Sequence, residues 1–385
     1  MIAVPGPYAC VLRWKAGEQA ALADTARHVA SSLIPIIEPT PSAFRHAAER
    51  PELFRLALHD AAHRVGLAWV GRPCFFDPHL IQDVAGRLAL SPDELLLGAA
   101  DSYGLRASPI LRLAHSLALA KRIVAGRARG SVVGVRVSAP DVGSMIGKTR
   151  LAKLLTESSL PPERVHLFVD LGVLDTDAPP TDLLLSLPYL GRWQAVTILA
   201  GSFPPNLMEL EPGIHSLPRL EWRMYRHLLN EWPNSYPVPG YGDFGTQHAE
   251  FREPQIPCFP SLSVRYARED DWLVLRGYSS KNKEGGGSRQ FIAHARFLTQ
   301  HLDYSGESFS AGDQYIRERT LTGATPGNLT KWLAASMNHH MCLTAANLAR
   351  LATETIEVVA EQDHARVRSV PQLGGFGDSP SPVRP

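Results

Sequence analysis

Apolar positions gather along this chain in eight short runs, each ending in or beside a charged or polar residue, that read as β-strands: Tyr8–Lys15, Leu33–Glu38, Leu67–Arg72, Ala107–Arg112, Val132–Val137, Val165–Asp170, Ala195–Ala200 and Tyr236–Asp243. They begin roughly 25 to 40 residues apart, room for one strand, one helix and two loops each time. The intervening segments carry helical periodicity. Gln19–Leu33 places Leu22, Ala26, Val29 and Ala30 on one face, and Pro51–Val65 opens on a proline suited to a first helical turn. His115–Ala128, Lys148–Thr156 and Leu217–Trp232 follow the same rule. Eight such units predict an α/β fold, a closed (β/α)₈ TIM-like barrel over residues 1–255.

Beyond the barrel the period changes. Three prolines near Arg252–Pro260 mark a boundary. Leu262–Arg268 and Trp272–Tyr278 alternate around Glu269-Asp270-Asp271 and predict a β-hairpin. The glycine-rich loop Ser279–Gly287 follows, then helices around Arg289–Leu302 and Asn328–Glu361. This hairpin-plus-helices extension, residues 261–361, carries Tyr266, Trp272, Phe291, Phe297, Phe309 and Trp332, ample aromatic area to bury against the barrel. Residues 369–385 are rich in glycine, proline and serine and predict a disordered tail.

Composition adds mainly exclusions. A net charge of +1 gives no global electrostatic footprint for nucleic acid. Cys10, Cys74, Cys258 and Cys342 lie far apart with no CxxC pair, against a structural zinc site or a disulfide scaffold. No basic-then-apolar leader and no long apolar run is present, so a cytoplasmic protein with no membrane span is expected.

In a (β/α)₈ barrel the chemistry sits at the C-terminal ends of the strands. Those ends carry Lys15, Glu38, Arg112, Arg136, Asp170 and Asp243. Glu38, Asp170 and Asp243 are candidates for acid/base work or for holding a divalent metal such as Mg²⁺. Lys15 suits a Schiff-base nucleophile or a phosphate contact. Arg112 and Arg136 are candidates to grip anionic oxygens, and Arg265 and Arg276 on the hairpin are further substrate-binding candidates, interleaved with aromatics. The bland alternative is a set of salt bridges closing the barrel top.

Gly143-Ser-Met-Ile-Gly147-Lys148-Thr149 imitates a phosphate-binding loop but is one residue short between its glycines. His339-His340 sit about 100° apart on a predicted helix and cannot share a metal; one is expected to pack and the other to face the mouth. Asp313 and Asn328 read as helix-start residues.

Several segments, taken in order, resemble the beta protein family found in phages and many bacterial genomes. They are Tyr8…Arg13-Trp14-Lys15…Glu18, Ile34-Pro35-Ile36-Ile37-Glu38-Pro39 and Gly242-Asp243-Phe244. Arg265-Tyr266, Trp272…Arg276-Gly277, Phe309-Ser310-Ala311-Gly312-Asp313…Ile316 and Gly327-Asn328…Trp332…Asn338-His339-His340 continue the series. The resemblance implies a setting in phage–host conflict and carries no settled active site. Two readings stand at this point. One is an enzyme, such as a phosphoester hydrolase, acting on a phosphorylated small molecule or nucleic acid. The other is a non-catalytic sensor, adaptor or inhibitor that uses the barrel as a platform for a protein partner encoded nearby.

Overall fold

The computed structural model describes residues 6–253, 261–279, 281–282 and 286–368, with side chains described through Glu354. The boundary prolines, Cys258 and the 369–385 tail lie outside the described residues. Eight parallel strands close a barrel: β1 (Tyr8–Arg13), β2 (Leu33–Glu38), β3 (Cys74–Phe76), β4 (Ala107–Arg112), β5 (Val133–Ser138), β6 (Val165–Val173), β7 (Ala195–Gly201) and, after an excursion, β9 (Gly240–Asp243). The excursion is β8 (Gly213–Pro218). It leaves the barrel to pair antiparallel with β11 (Asp271–Arg276), which in turn pairs with β10 (Val264–Ala267). The expected hairpin is therefore two strands of a three-stranded sheet, and the third strand comes from within the barrel segment.

Strand three differs from the expected Leu67–Arg72. That run closes the long helix Pro51–Ala68 and its turn, and the strand follows at Cys74–Phe76. The apolar residues of the run misled: Leu67 and Val70 are exposed, while Trp69 is buried and donates its indole N–H to Pro73 O at 2.9 Å. A third C-terminal helix, Ala311–Glu318, stands between Gln290–Gln300 and Leu329–Arg368. Its N-cap is Ser310, whose hydroxyl accepts from the Asp313 N–H at 3.0 Å, and Asn328 likewise accepts from the Lys331 N–H at 3.0 Å.

Parity then sorts every barrel residue. Ala9, Val11, Ile36, Phe75, Ile110, Phe168 and Leu199 form the core inside the barrel. Tyr8, Cys10, Leu12, Ile37, Phe76, Leu111, Val135 and Leu167 face outward into the layer beneath the helices. Cys10, Cys74 and Cys342 are buried and unpaired. The long helix Leu329–Arg368 packs on the helix Ala16–Ala23 and on β10. At Gly245 the chain takes φ +57°, and a Cβ there would overlap the sulfur of Met337, so only glycine lets the long helix approach. The phosphate-loop imitation is a helix junction: Ser144 caps Met145–Glu157, and a Cβ on Gly147 would overlap Asp141 of the preceding helix. No described helix is long and apolar enough to cross a membrane.

Candidate active site at the barrel mouth

The inward parity that places Val11, Ile36, Ile110 and Phe168 in the core carries Arg13, Glu38, Arg112, Arg136 and Asp170 to the top of the same faces. Asp77, one residue past β3, joins them, held by its N–H to Ile37 O at 3.0 Å. Arg136 is the hub. Its Nη1 donates to Glu38 Oε1 at 2.6 Å and to Asp77 Oδ2 at 2.9 Å, while Nε and Nη2 donate to Asp170 Oδ2 at 2.9 and 2.7 Å. Arg112 grips Asp77 with Nε at 3.0 Å and Nη2 at 2.6 Å. Arg13 Nε faces Glu38 Oε2 at 3.6 Å, and its two terminal nitrogens donate to His248 O and Ala249 O at 2.5 Å. The Phe244 ring lies beside the Arg13 and Arg136 guanidiniums, 5.7 and 5.6 Å from centroid to Cζ.

Three guanidiniums thus oppose three carboxylates. Burial alone would push the Asp77 carboxyl up; Arg112, His79 and Arg136 overcome this and hold it well below the usual carboxylate range. Burial pulls the Arg136 guanidinium down, and Asp170, Glu38 and Asp77 more than restore it, so it stays charged.

The hub is sealed and the rim is not. Glu38 and Asp77 side chains are 1% exposed and Arg136 4%, whereas Arg112 is 24%, His79 27% and Asp170 19%. His79, in the short turn after Asp77, sets Nδ1 3.1 Å from Arg112 Nη2 and 3.2 Å from Asp77 Oδ1. Nδ1 therefore has a donor to accept from and a carboxylate to donate to. It finds a partner in either tautomer. Among the described residues Nε2 makes no hydrogen bond, and neither does Arg112 Nη1. His115 fixes Arg112 from behind, accepting its backbone N–H at Nδ1 (3.0 Å) and turning Nε2 toward Asp93 Oδ1 at 3.6 Å. The opening thus combines a cationic hydrogen-bond donor with an imidazole oriented by a carboxylate.

Glu38, Asp77 and His79 offer ligand atoms within 4.8 Å of one another, the spacing of a metal site. A hard divalent ion fits them poorly, because Glu38 Oε1 and Asp77 Oδ2 already share one Arg136 nitrogen. A cation seated between those oxygens would meet the guanidinium.

Of the residues expected here, Glu38, Arg112, Arg136 and Asp170 converge. Lys15 stands past the end of β1, exposed, with Nζ 5.2 Å from the Phe251 ring centroid and outside the network. Asp243 is not in the mouth. It takes the outward parity of β9, where Tyr8 Oη donates to it at 2.6 Å, Tyr241 Oη at 3.1 Å and His340 Nε2 at 2.8 Å. Burial pushes the Asp243 carboxyl up, but His340, Tyr8 and Arg219 together hold it down at about 2. His340, stacked on Trp272, and its neighbour His339 are both fully buried, so neither faces the mouth. Arg265 and Arg276 lie on the three-stranded sheet, away from the network. Asp77 and His79 were missed with strand three. The signal was present in Cys74-Phe-Phe-Asp77-Pro-His79, an apolar run ending on a carboxylate like its neighbours.

Fold and mouth together define a (β/α)₈-barrel protein with an ionic site at the C-terminal ends of its strands. The beta protein family matches residues 8–345, and the chain belongs to it. A comparison with curated proteins gives no match. Among solved structures, the chain is similar to the YdjI aldolase from Escherichia coli K12, with 7% identity, 89% of this chain and 91% of that chain covered, and a TM-score of 0.36.

Proposed function

We propose that this protein is an enzyme that carries out general acid–base chemistry on a small phosphorylated substrate at the barrel mouth, in the setting of phage–host conflict. The single observation that carries this reading is the half-exposed His79, its Nδ1 held between Asp77 and Arg112 and its Nε2 free. In the reaction, Arg112 Nη1 binds an anionic oxygen and His79 Nε2 moves the proton. Arg136 keeps Glu38, Asp77 and Asp170 fixed around them without touching substrate. A phosphoester hydrolase fits this assignment, with His79 activating water or protonating the leaving oxygen. The phage–host setting rests on the family. A small substrate is favoured over a nucleic-acid duplex because only the Arg112–His79–Asp170 rim is reachable.

The platform reading has one observation of its own. Residues 244–253 fold over the mouth, tied by Arg13 to His248 O and Ala249 O and by Arg265 to Thr246 O at 2.5 Å. A partly covered top on a network of three cations and three carboxylates suits a rigid binding body.

Incubation with a panel of phosphorylated metabolites and short oligonucleotides, followed by phosphorus NMR, separates the two. Turnover of a small phosphorylated compound is expected, falling by about 100-fold or more in His79→Gln. The melting temperature of that variant should be unchanged. No turnover across the panel, or turnover indifferent to His79→Gln, sinks the enzyme reading.

A further inference from the structure

The groove that remains after the mouth is assigned lies on the three-stranded sheet. Its cavity of about 480 Å³ is bounded by β10, β11, residues 205–212 and the start of the long helix. The pairing of Val264 with Leu275 sets Ser263 opposite Arg276, so Ser263, Arg265, Val274 and Arg276 share one face. Arg265 and Arg276 are diagonal neighbours across the antiparallel pair, with Cα atoms about 7–8 Å apart, and both line the cavity. Neither guanidinium forms an ion pair among the described residues. Arg265 spends one nitrogen on Thr246 O and lies over Phe203, 4.5 Å from Cζ to ring centroid. Arg276 Nε is buried with no hydrogen-bond partner among the described residues. Glu18 acts on Arg265 at longer range, but its Oε1 is occupied by Gln247 Nε2 at 2.6 Å.

The arginines of the mouth, by contrast, are matched with carboxylates. Two unmatched guanidiniums on one sheet face raise the local potential and favour an anion held by both. The rest of the wall mixes Asn206, Ser261, Ser263 and Ser279 with Leu207, Leu329 and Leu333, and Met208, 81% exposed, and Tyr278, 48% exposed, stand at the rim. We infer that this groove is a second binding site, for a nucleoside monophosphate, with the phosphate on Arg265 and Arg276 and the base against Met208 and Tyr278. None of its residues belongs to the acid–base set at the mouth, and the variants below spare Arg265, which also ties Thr246, so it stands or falls apart from the acid–base reading.

Isothermal titration of the full chain with adenosine monophosphate, adenosine and inorganic phosphate tests this. The monophosphate should bind, phosphate more weakly and adenosine more weakly still. Arg276→Gln should weaken monophosphate binding about tenfold or more at an unchanged melting temperature, the loss of one charge-assisted contact. Met208→Ala, at an exposed position, should weaken the monophosphate but not phosphate, and so serves even if Arg276→Gln folds poorly. His79→Gln should leave all three affinities alone. Failure of all three compounds to bind at millimolar concentration overturns the inference. So does unchanged affinity in both groove variants, or loss of binding in His79→Gln, which would place the ligand in the mouth.

Discussion

The barrel mouth and the seam between the barrel and the long helix use the same side chains to opposite ends. Both set carboxylates against histidine and arginine. At the seam nothing reaches solvent: Asp243, Asp313, His339 and His340 are 0–1% exposed. His339 Nδ1 lies 2.8 Å from Asp313 Oδ2 and its Nε2 2.9 Å from Ala267 O. Both ring nitrogens thus find a partner inside the seam. Asp313 also accepts from Tyr266 Oη at 2.8 Å and Ser310 Oγ at 2.6 Å, tying β10, the helix Ala311–Glu318 and the long helix together. Asn338 extends the seam, donating to Ala21 O at 3.0 Å and accepting from Gly312 N at 2.9 Å. At the mouth, one buried layer of charge carries a second, half-exposed layer above it. Chemistry needs that second layer; a clamp does not.

The sharpest way to break the comparison is Arg136→Met, which leaves Glu38, Asp77 and Asp170 without their shared cation. The expected cost is about 5 kcal/mol, because Glu38 keeps only the Arg13 guanidinium, at 3.6 Å, while Asp77 and Asp170 each lose a cation as well. Urea denaturation reads it; a cost near zero would mean that the network contributes nothing to the fold. His339→Leu comes next. It keeps the volume but leaves the buried Asp313 carboxyl without its histidine partner, and should cost about 3–5 kcal/mol. A loss that small in Arg136→Met and larger in His339→Leu would reverse the ranking of the two regions.

Glu18 gives a smaller, signed effect. Burial raises its carboxyl to about 7, with Lys15, Arg13 and Arg265 pulling against that rise. The folded state therefore favours the protonated form. This contribution to stability is complete below the unfolded glutamate value, about 4.3, and is lost as pH rises through about 7. Glu18→Gln should remove that decline and stabilise the protein at pH 8 by on the order of 2 kcal/mol. Melting curves at pH 5 and pH 8 check it. An equal pH slope in both proteins would contradict the burial of Glu18 as a charge-sensitive tie to Gln247.

Seven of the eight barrel strands were legible in the sequence, because a strand with one face in a closed barrel and the other under helices reads as a short apolar run. The exception shows the limit. Leu67–Arg72 is as apolar as a strand, and only tertiary structure assigns Leu67 and Val70 to solvent. The site suffered for it, since Asp77 and His79 follow the strand that was misplaced. Strand-end position alone also could not separate Glu38 from Asp243. Both close a strand, but Glu38 sits at the inward parity of Ile36 and Asp243 at the outward parity of Tyr241. The same holds for β8, whose pairing with β11 spans more than fifty residues and leaves no local trace. The family resemblance is spread over both regions. Arg13 and Glu38 belong to the mouth, whereas Tyr8, Asp243, Tyr266, Asp313, Asn338, His339 and His340 build the seam.

The most direct measurement is histidine NMR of the full chain, following the imidazole Cε1–Hε1 signals as inorganic phosphate is added. His79→Gln, His339→Leu and His340→Gln supply the assignments. An open mouth and a sealed seam predict that the His79 signal moves with phosphate while those of His339 and His340 stay fixed. A His79 signal indifferent to phosphate, with His339 or His340 responding, would contradict the division between a reactive mouth and a structural seam.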